Sequence, residues 1–153
     1  MIDLGWTDEF DQGPNYIAPK CVIGLDRDGV INKDLGTYCY RSKDFEPIEG
    51  SIDGLYYSAS SRKNDMYAKP NIGMFKRCER EVPHVKFNQG YYVGDKLSDL
   101  KASMKIGAKP VLVRTGYGKE TEELINKRFT YKQIKKRTIV FDTLSKFADY
   151  VIN

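Results

Sequence analysis

Five charged side chains, carried by three short stretches of the chain, are of the types that phosphoryl transfer requires. They are Asp26, Asp28, Lys69, Asp95 and Asp99. Asp26 and Asp28 end a short apolar run, and two residues apart in extended chain they point to the same side. Paired carboxylates suit Mg²⁺, which keeps several waters and takes further ligands from phosphate. The spacing does not match an EF-hand, because Val30 and Thr37 stand where that loop needs ligands.

These groups divide into a nucleophile, a proton donor, metal ligands and a cation. Asp26 would attack phosphorus in line and form an aspartyl-phosphate. Asp28 would protonate the leaving oxygen and then take a proton from the attacking water. Mg²⁺ and Lys69 would offset the charge on the phosphoryl oxygens. Asp95 would complete the metal site. Asp99 either joins it or favours the start of the next helix through the helix dipole, and both alternatives remain open here.

The elements that must position these groups alternate between strands and helices. The patterns predict strands at 20–26, 54–57, 90–93, 109–113 and 138–141, and helices at 72–82, 98–106, 121–129 and from Leu144 onward. Such alternation predicts an α/β fold with a parallel sheet, helices on both faces, and the acids at the carboxyl ends of strands. No amphipathic helix lies between the first two strands, so we expect a fold that is shortened in its early half.

Composition indicates a protein that folds in water around one core. The 153 residues are 41% hydrophobic and 30% charged, as in globular chains. We expect a leader over residues 1–19 and one domain over residues 20–153. No apolar run reaches the ~20 residues of a membrane helix, and the start is unlike a signal peptide. Three widely spaced cysteines favour reduced thiols. We therefore expect a cytoplasmic protein without a membrane partner.

A late basic run carries much of the net charge of +4. Its members are Lys127, Arg128, Lys132, Lys135, Lys136 and Arg137. We interpret this run as a solvated face, because no nucleic-acid-binding motif accompanies it. The expected partner is a small phosphorylated substrate, and the expected state is a monomer.

Three stretches resemble the first, third and fourth motifs of the haloacid dehalogenase (HAD) superfamily. They are Leu25–Asn32, Lys69-Pro70 and Tyr92–Asp99. Within that superfamily the chain is similar to the D-glycero-D-manno-heptose 1,7-bisphosphate phosphatases and the related histidinol-phosphatase domains, supported by the stretches 45–50, 53–57 and 111–118. The resemblance implies a HAD-like Rossmannoid three-layer fold and a Mg²⁺-dependent phosphatase domain. It also implies Asp26 as nucleophile, Asp28 as acid/base, Lys69 on the phosphate, and Mg²⁺ on Asp26, Asp95 and the backbone carbonyl of Asp28.

Other positions carry over as substrate contacts or depart from the pattern. The resemblance places Asp34, Leu35, Gly36, Thr37 and Lys96 against substrate. The superfamily's second motif has no counterpart, as if a segment were left out between Gly50 and Ile52. Ser58, at a predicted strand end, is a candidate substitute ligand for the phosphate. The positions of the family's zinc loop hold Ser58, Ser60, Asp65 and Tyr67, so we expect no zinc.

Two other hypotheses stand beside that of a phosphatase acting on a small phosphorylated metabolite, such as a heptose bisphosphate. The missing second motif fits a catalytically impaired domain that binds or regulates. The basic excess fits, less well, a phosphatase acting on nucleic-acid ends, whose binding would depend on salt.

Overall fold

A computed structural model describes residues 22–26, 30–31, 65–82 and 85–152 of the chain. Within these residues a single sheet of four parallel strands has the order β1-β2-β3-β4. The strands are β1 (Ile23–Leu25), β2 (Tyr91–Gly94), β3 (Lys109–Val113) and β4 (Ile139–Phe141). The helices are α1 (Gly73–Glu81), α2 (Leu97–Ile106), α3 (Gly118–Lys127), α4 (Lys132–Arg137) and α5 (Leu144–Ile152). Short 3₁₀ turns at Phe87–Gln89 and Phe129–Tyr131 precede β2 and α4.

The strands alternate their side chains between two packed faces, which makes the fold a three-layer one. On one face, Tyr92 packs with residues of α1 and α2, and Leu112 packs with residues of α2, α3 and α4. On the other face, Val93 and Val111 pack against Phe147 of α5. Helices therefore cover both faces of a parallel sheet, which is why its strands read as continuous apolar runs. The predicted α/β fold with helices on both faces is confirmed.

Helix α2 follows the strand that carries Asp95, and its start corrects one prediction. Ser98, at the predicted start of the helix, is of a type that caps helices, but the cap is Lys96, and the helix begins at Leu97. The Lys96 backbone N–H donates to the Asp99 side chain at 2.9 Å, which is half of a capping box. At the other end, Gly107 has φ 80°, a left-handed conformation that glycine adopts without strain.

The remaining boundaries agree with the predicted ones to within one to three residues, apart from one missed helix. The sequence offers Asp142 or Thr143 as the cap of α5, and the Thr143 hydroxyl accepts from the Lys146 N–H at 3.2 Å, which favours Thr143. Helix α4 has no counterpart among the predictions, because Ile134 is its only buried residue. The predicted leader and the predicted strand at 54–57 lie outside the described residues. None of the described helices has the length and apolar composition needed to span a membrane.

Candidate active site

Two of the predicted acids lie at the carboxyl ends of neighbouring strands. The Asp26 N–H donates to the Val93 carbonyl at 2.8 Å, which extends the β1–β2 ladder by one bond. Asp95 directly follows Gly94, the last residue of β2. Parallel strands end at the same edge of their sheet, and this edge is the usual ligand-binding edge of α/β folds. The fold therefore brings the first and fourth motifs side by side, as the spacing predicts.

Lys69 reaches the same edge from a loop that its own hydrogen bonds keep in shape. The Asp65 carbonyl accepts from the Ala68 N–H at 3.1 Å and from the Asn71 side chain at 2.9 Å. The Met66 carbonyl accepts from the Gly73 N–H at 2.9 Å, which joins this loop to the start of α1. From α2, the Lys105 ammonium donates to the Pro70 carbonyl at 3.0 Å. These bonds fix the backbone from which the Lys69 side chain extends.

The Lys69 ammonium contacts three oxygens that come from three different elements. It pairs with Asp26 Oδ1 in a short contact, and it lies 2.6 Å from Asp99 Oδ1. Its third contact is the Tyr92 hydroxyl at 3.3 Å. The lysine side chain is 18% exposed, so solvent screens these interactions only partly. The structure thus brings together the lysine of the third motif with acids of the first and fourth.

Asp95 is held by the loop and helix that follow β3. One carboxylate oxygen, Oδ2, accepts from the Tyr117 N–H at 2.8 Å. The backbone carbonyl accepts from the Thr121 hydroxyl at 2.8 Å. The second carboxylate oxygen, Oδ1, is buried and has no hydrogen-bond partner among the described residues. A buried oxygen without a partner is costly, and it belongs to a side chain that lies near two other carboxylates.

Asp99 contacts both the start of α2 and the lysine of the site, and its role as a metal ligand stays a prediction. Its Oδ2 accepts from the Lys96 N–H at the start of α2, while its Oδ1 faces Lys69. Gly94 makes this approach feasible, because a Cβ there would lie 2.3 Å from the Cβ of Asp99. The glycine before Asp95 is therefore required by close packing.

Burial raises the pKa values of two acids at this edge, whereas neighbouring groups raise the pKa of Lys69. Burial raises the pKa of Asp99 to about 6, although Lys69 lowers it, and Asp26 raises it further. Burial also raises the pKa of Asp95, against the hydrogen bond from Tyr117. Burial alone would lower the pKa of Lys69, but Tyr92, Asp99 and Asp26 together outweigh it and raise that pKa. The lysine stays cationic among carboxylates that are crowded together.

The three carboxylates fit a hard divalent cation. One oxygen from each of Asp26, Asp95 and Asp99 lies within 4.8 Å of the other two. Carboxylates crowded in this way repel one another unless a cation lies between them. A few carboxylate oxygens, of which only those of Asp26 belong to a partly exposed side chain, are the kind of ligands that Mg²⁺ takes together with phosphate. The donor set and the unpartnered Asp95 oxygen both fit the metal that the sequence predicts.

Several predicted site residues lie outside the part of the chain that the structure describes. They are Asp28, Asp34, Leu35, Gly36, Thr37 and Ser58. Lys96 is described, and its ammonium lies 4.6 Å from the centre of the Tyr117 ring. Reasoning from sequence missed Tyr92, Tyr117 and Thr121. The Tyr117 N–H had no sequence signal, because any residue but proline supplies that donor.

Comparison with known proteins shows the class to which this fold and site belong. The family model described as HAD-hydrolase-like matches residues 66–146, more than half of the chain. The chain therefore belongs to the haloacid dehalogenase-like hydrolases.

Its similar relatives carry a single name. A D-glycero-beta-D-manno-heptose-1,7-bisphosphate 7-phosphatase from Haemophilus ducreyi is 34% identical over 192 positions, covering 86% of this chain and 98% of that protein. The Pseudomonas putida protein of the same name is 27% identical over 179 positions, covering 84% and 97%. The inferred class, HAD-type phosphatases that hydrolyse phosphoric monoesters, is confirmed.

A solved structure supports the fold. It is a D,D-heptose 1.7-bisphosphate phosphatase from B. bronchiseptica complexed with magnesium and phosphate. The TM-score is 0.63 at 21% identity, and the match covers 87% of this chain and 98% of the other.

The relatives are longer than this chain inside the aligned region. For the P. putida protein, 84% of 153 residues is about 129 residues, whereas the alignment spans 179 positions. About 50 positions of that alignment therefore have no counterpart here. The predicted place of the gap, between Gly50 and Ile52, lies outside the described residues and stays a prediction.

Proposed function

We propose that the chain is a Mg²⁺-dependent phosphatase that hydrolyses a small phosphorylated metabolite through an aspartyl-phosphate on Asp26. The observation that carries this proposal is the meeting of Asp26, Lys69, Asp95 and Asp99 at one edge of the sheet. A carboxylate nucleophile, a cation for the phosphoryl oxygens and a set of metal ligands are the parts that phosphoryl transfer needs.

The described residues have roles that follow from their positions, and the role of Asp28 is taken from the resemblance. The Asp26 carboxylate attacks phosphorus, and the bond from phosphorus to the leaving oxygen breaks. Asp28, whose role rests on the resemblance, gives that oxygen a proton. It then takes a proton from the water that hydrolyses the aspartyl-phosphate, which restores both acids. Lys69 donates to the phosphoryl oxygens. Mg²⁺, held by Asp26, Asp95 and Asp99, would offset the negative charge of the phosphoryl group.

The substrate proposed first is a heptose bisphosphate or a similar sugar phosphate. Its support is the shared name of the relatives, which are 24–34% identical to this chain. Lys96, next to Asp95, supplies a cation for a second phosphate at the same edge. Asp34 to Thr37 would complete the sugar-binding side, as the resemblance implies.

A second candidate function is a binding or regulatory domain that keeps the metal site but does not turn over substrate. The observation that favours it is the group of about 50 aligned positions without a counterpart in this chain. Such a gap has room for the missing second motif, which in the family contacts phosphate.

The decisive experiment measures phosphate release by the full chain with Mg²⁺ from a panel of phosphorylated sugars, including a heptose 1,7-bisphosphate. We expect release by the wild type and a loss of more than about a thousandfold in Asp26→Asn. Asp149→Asn, an exposed aspartate on α5 whose side chain is 62% exposed, is the matched control and should retain full activity.

The outcomes separate the two candidate functions. Equal turnover by the wild type and Asp26→Asn would reject the proposed nucleophile. No turnover by the wild type, together with Mg²⁺-dependent binding of inorganic phosphate, would favour the binding domain instead.

A further inference from the structure

We propose that the Tyr92 hydroxyl is a positioning group that fixes where the Lys69 ammonium lies at the carboxyl edge of the sheet. The inference rests on the proposed function for its effect on catalysis, but the position of Lys69 can be observed independently. The contact that motivates it is the 3.3 Å hydrogen bond from Lys69 Nζ to the Tyr92 hydroxyl.

The Tyr92 ring is held on several sides, so its hydroxyl has a fixed location. The residue is 5% exposed, and its ring meets the Phe75 ring edge-on at a centroid distance of 4.9 Å. Gly24 lies directly opposite Tyr92 in the β1–β2 register. A Cβ at Gly24 would lie 2.6 Å from Cδ2 of the tyrosine ring, so the glycine leaves the space that the ring occupies.

The donor geometry of lysine explains why a third oxygen matters. A lysine ammonium has three N–H donors and no acceptor. Among the described residues, Asp26, Asp99 and Tyr92 supply the oxygens it contacts. Two carboxylates alone would let the ammonium rotate about the axis between them, whereas a third contact from β2 removes that freedom. Tyr92 can do this without adding another charge to a crowded site.

The hydroxyl of Tyr92 does something that its ring packing does not require. A phenylalanine at the same position would keep the ring contact with Phe75 and lose only the hydroxyl. A buried tyrosine normally places its hydroxyl where a partner accepts or donates, and here that partner is the lysine of the third motif. Tyr92 therefore positions the Lys69 ammonium, a role that its place in an apolar strand does not indicate.

The test uses Tyr92→Phe and a matched control, Tyr91→Phe, in the full chain. Tyr91 is the neighbouring residue of β2, and its ring packs against Phe147 on the opposite face at 5.3 Å. Each variant loses one hydroxyl from the same strand and keeps its ring. Crystal structures would give the Lys69 Nζ position in all three proteins, and kinetics with Mg²⁺ and a sugar phosphate would give kcat and KM.

In Tyr92→Phe we expect Lys69 Nζ to move by more than about 1 Å. We also expect kcat to fall about tenfold, the size expected for a lost hydrogen bond to a charged group. KM should change less than about twofold, because the lysine would be displaced from the reacting phosphoryl group rather than removed. Tyr91→Phe should match the wild type in both readouts.

Other results would overturn the inference. It fails if Nζ stays in place, or if Nζ moves while kcat is unchanged. It also fails if Tyr91→Phe lowers kcat as much as Tyr92→Phe, because the hydroxyl effect would then be general to the strand. If the wild type releases no phosphate from any substrate, the proposed function fails. Tyr92 is then judged on the Nζ position alone, supported by a shift and rejected without one.

Discussion

Asp95 uses its two carboxylate oxygens in different ways, and the difference points to a metal. Oδ2 accepts from the Tyr117 N–H, which orients the group. Oδ1 is buried without a hydrogen-bond partner among the described residues, and one carboxylate oxygen of Asp95 lies within 4.8 Å of an oxygen from each of Asp26 and Asp99. A cation at this place would satisfy Oδ1 and reduce the repulsion among the three carboxylates at once.

Binding of Mg²⁺ to the folded chain should therefore depend on Asp95. At Mg²⁺ concentrations about 100-fold above the dissociation constant, linkage adds about 2.7 kcal/mol to stability. For a domain of this size that corresponds to a rise of roughly 5–10 °C in Tm. We expect this rise in the wild type and in Asp149→Asn, and little or none in Asp95→Asn, measured by thermal unfolding with and without MgCl₂. An equal rise in Asp95→Asn would remove Asp95 from the metal site.

Residue type and spacing were enough to predict the charged part of the site but not its supports. Asp26 and Asp95 follow recognisable apolar runs, so their place at a strand edge could be predicted from the pattern, whereas Lys69 could be placed only in a loop before a helix. The hydroxyl of Tyr92 could not, because an aromatic residue in a strand indicates packing first. The contact with Lys69 depends on how a distant loop meets β2, and local sequence does not encode that.

Elements with a regular pattern of buried apolar residues were predicted from the sequence, and the one described helix without such a pattern was missed. Strands β2 and β3 read as apolar runs because both faces are covered. Helix α5 carries a regular apolar stripe that includes Leu144, Phe147 and Val151. Helix α4 has six residues, mostly cationic, and its single buried side chain gives no period. Its helical state follows from tertiary packing of Ile134 with Leu112 and Ile125.

Glu79 joins two elements behind the site and should make stability depend on pH. It lies on α1, accepts from the Phe87 N–H at 3.2 Å and pairs with Lys76 at 2.8 Å. Partial burial raises the pKa of Glu79, but the hydrogen bonds from Lys76 and Phe87 outweigh it. The net pKa is below the ordinary value of 4.5. A carboxyl with a lowered folded pKa stabilises the fold above its unfolded pKa, and the effect is lost as pH falls through the folded pKa.

We therefore expect Glu79→Gln to lower the free energy of unfolding by about 1 kcal/mol at pH 7. The difference from the wild type should shrink as the pH falls below about 4.5, because protonation then removes the same charge from the wild type. Denaturant unfolding at several pH values measures this. Glu120→Gln, an exposed substitution on α3, is the control. A difference that is constant with pH would show that packing, not charge, sets the contribution of Glu79.

Across the whole molecule, the candidate site lies at the carboxyl edge of the parallel sheet, and a basic run leads into the amino end of β4. Asp26 and Asp95 follow the carboxyl ends of their strands. Helix α3 starts near that edge with Gly118 and runs back over ten residues, about 15 Å. The chain after α3 must return to the amino edge, where the parallel strand β4 begins. This stretch, residues 127–137, holds six cations and no acid, and the structure leaves all six exposed.

The separation of the two edges decides what the basic run can do for catalysis. Exposed charges separated by more than the Debye length, about 8 Å at physiological salt, are largely screened from one another. We expect the triple variant Lys135→Gln, Lys136→Gln, Arg137→Gln to keep kcat/KM for a sugar phosphate within about twofold of the wild type, with the same salt dependence. Steady-state phosphate release at several salt concentrations measures this, and a 5′-phosphorylated oligonucleotide supplies the contrasting substrate.

If the triple variant lost oligonucleotide turnover in a salt-dependent way while keeping sugar phosphate turnover, cations remote from the acids would be guiding a nucleic-acid end into the site. The hypothesis of a phosphatase for nucleic-acid ends would then gain the support that the position of the basic run denies it.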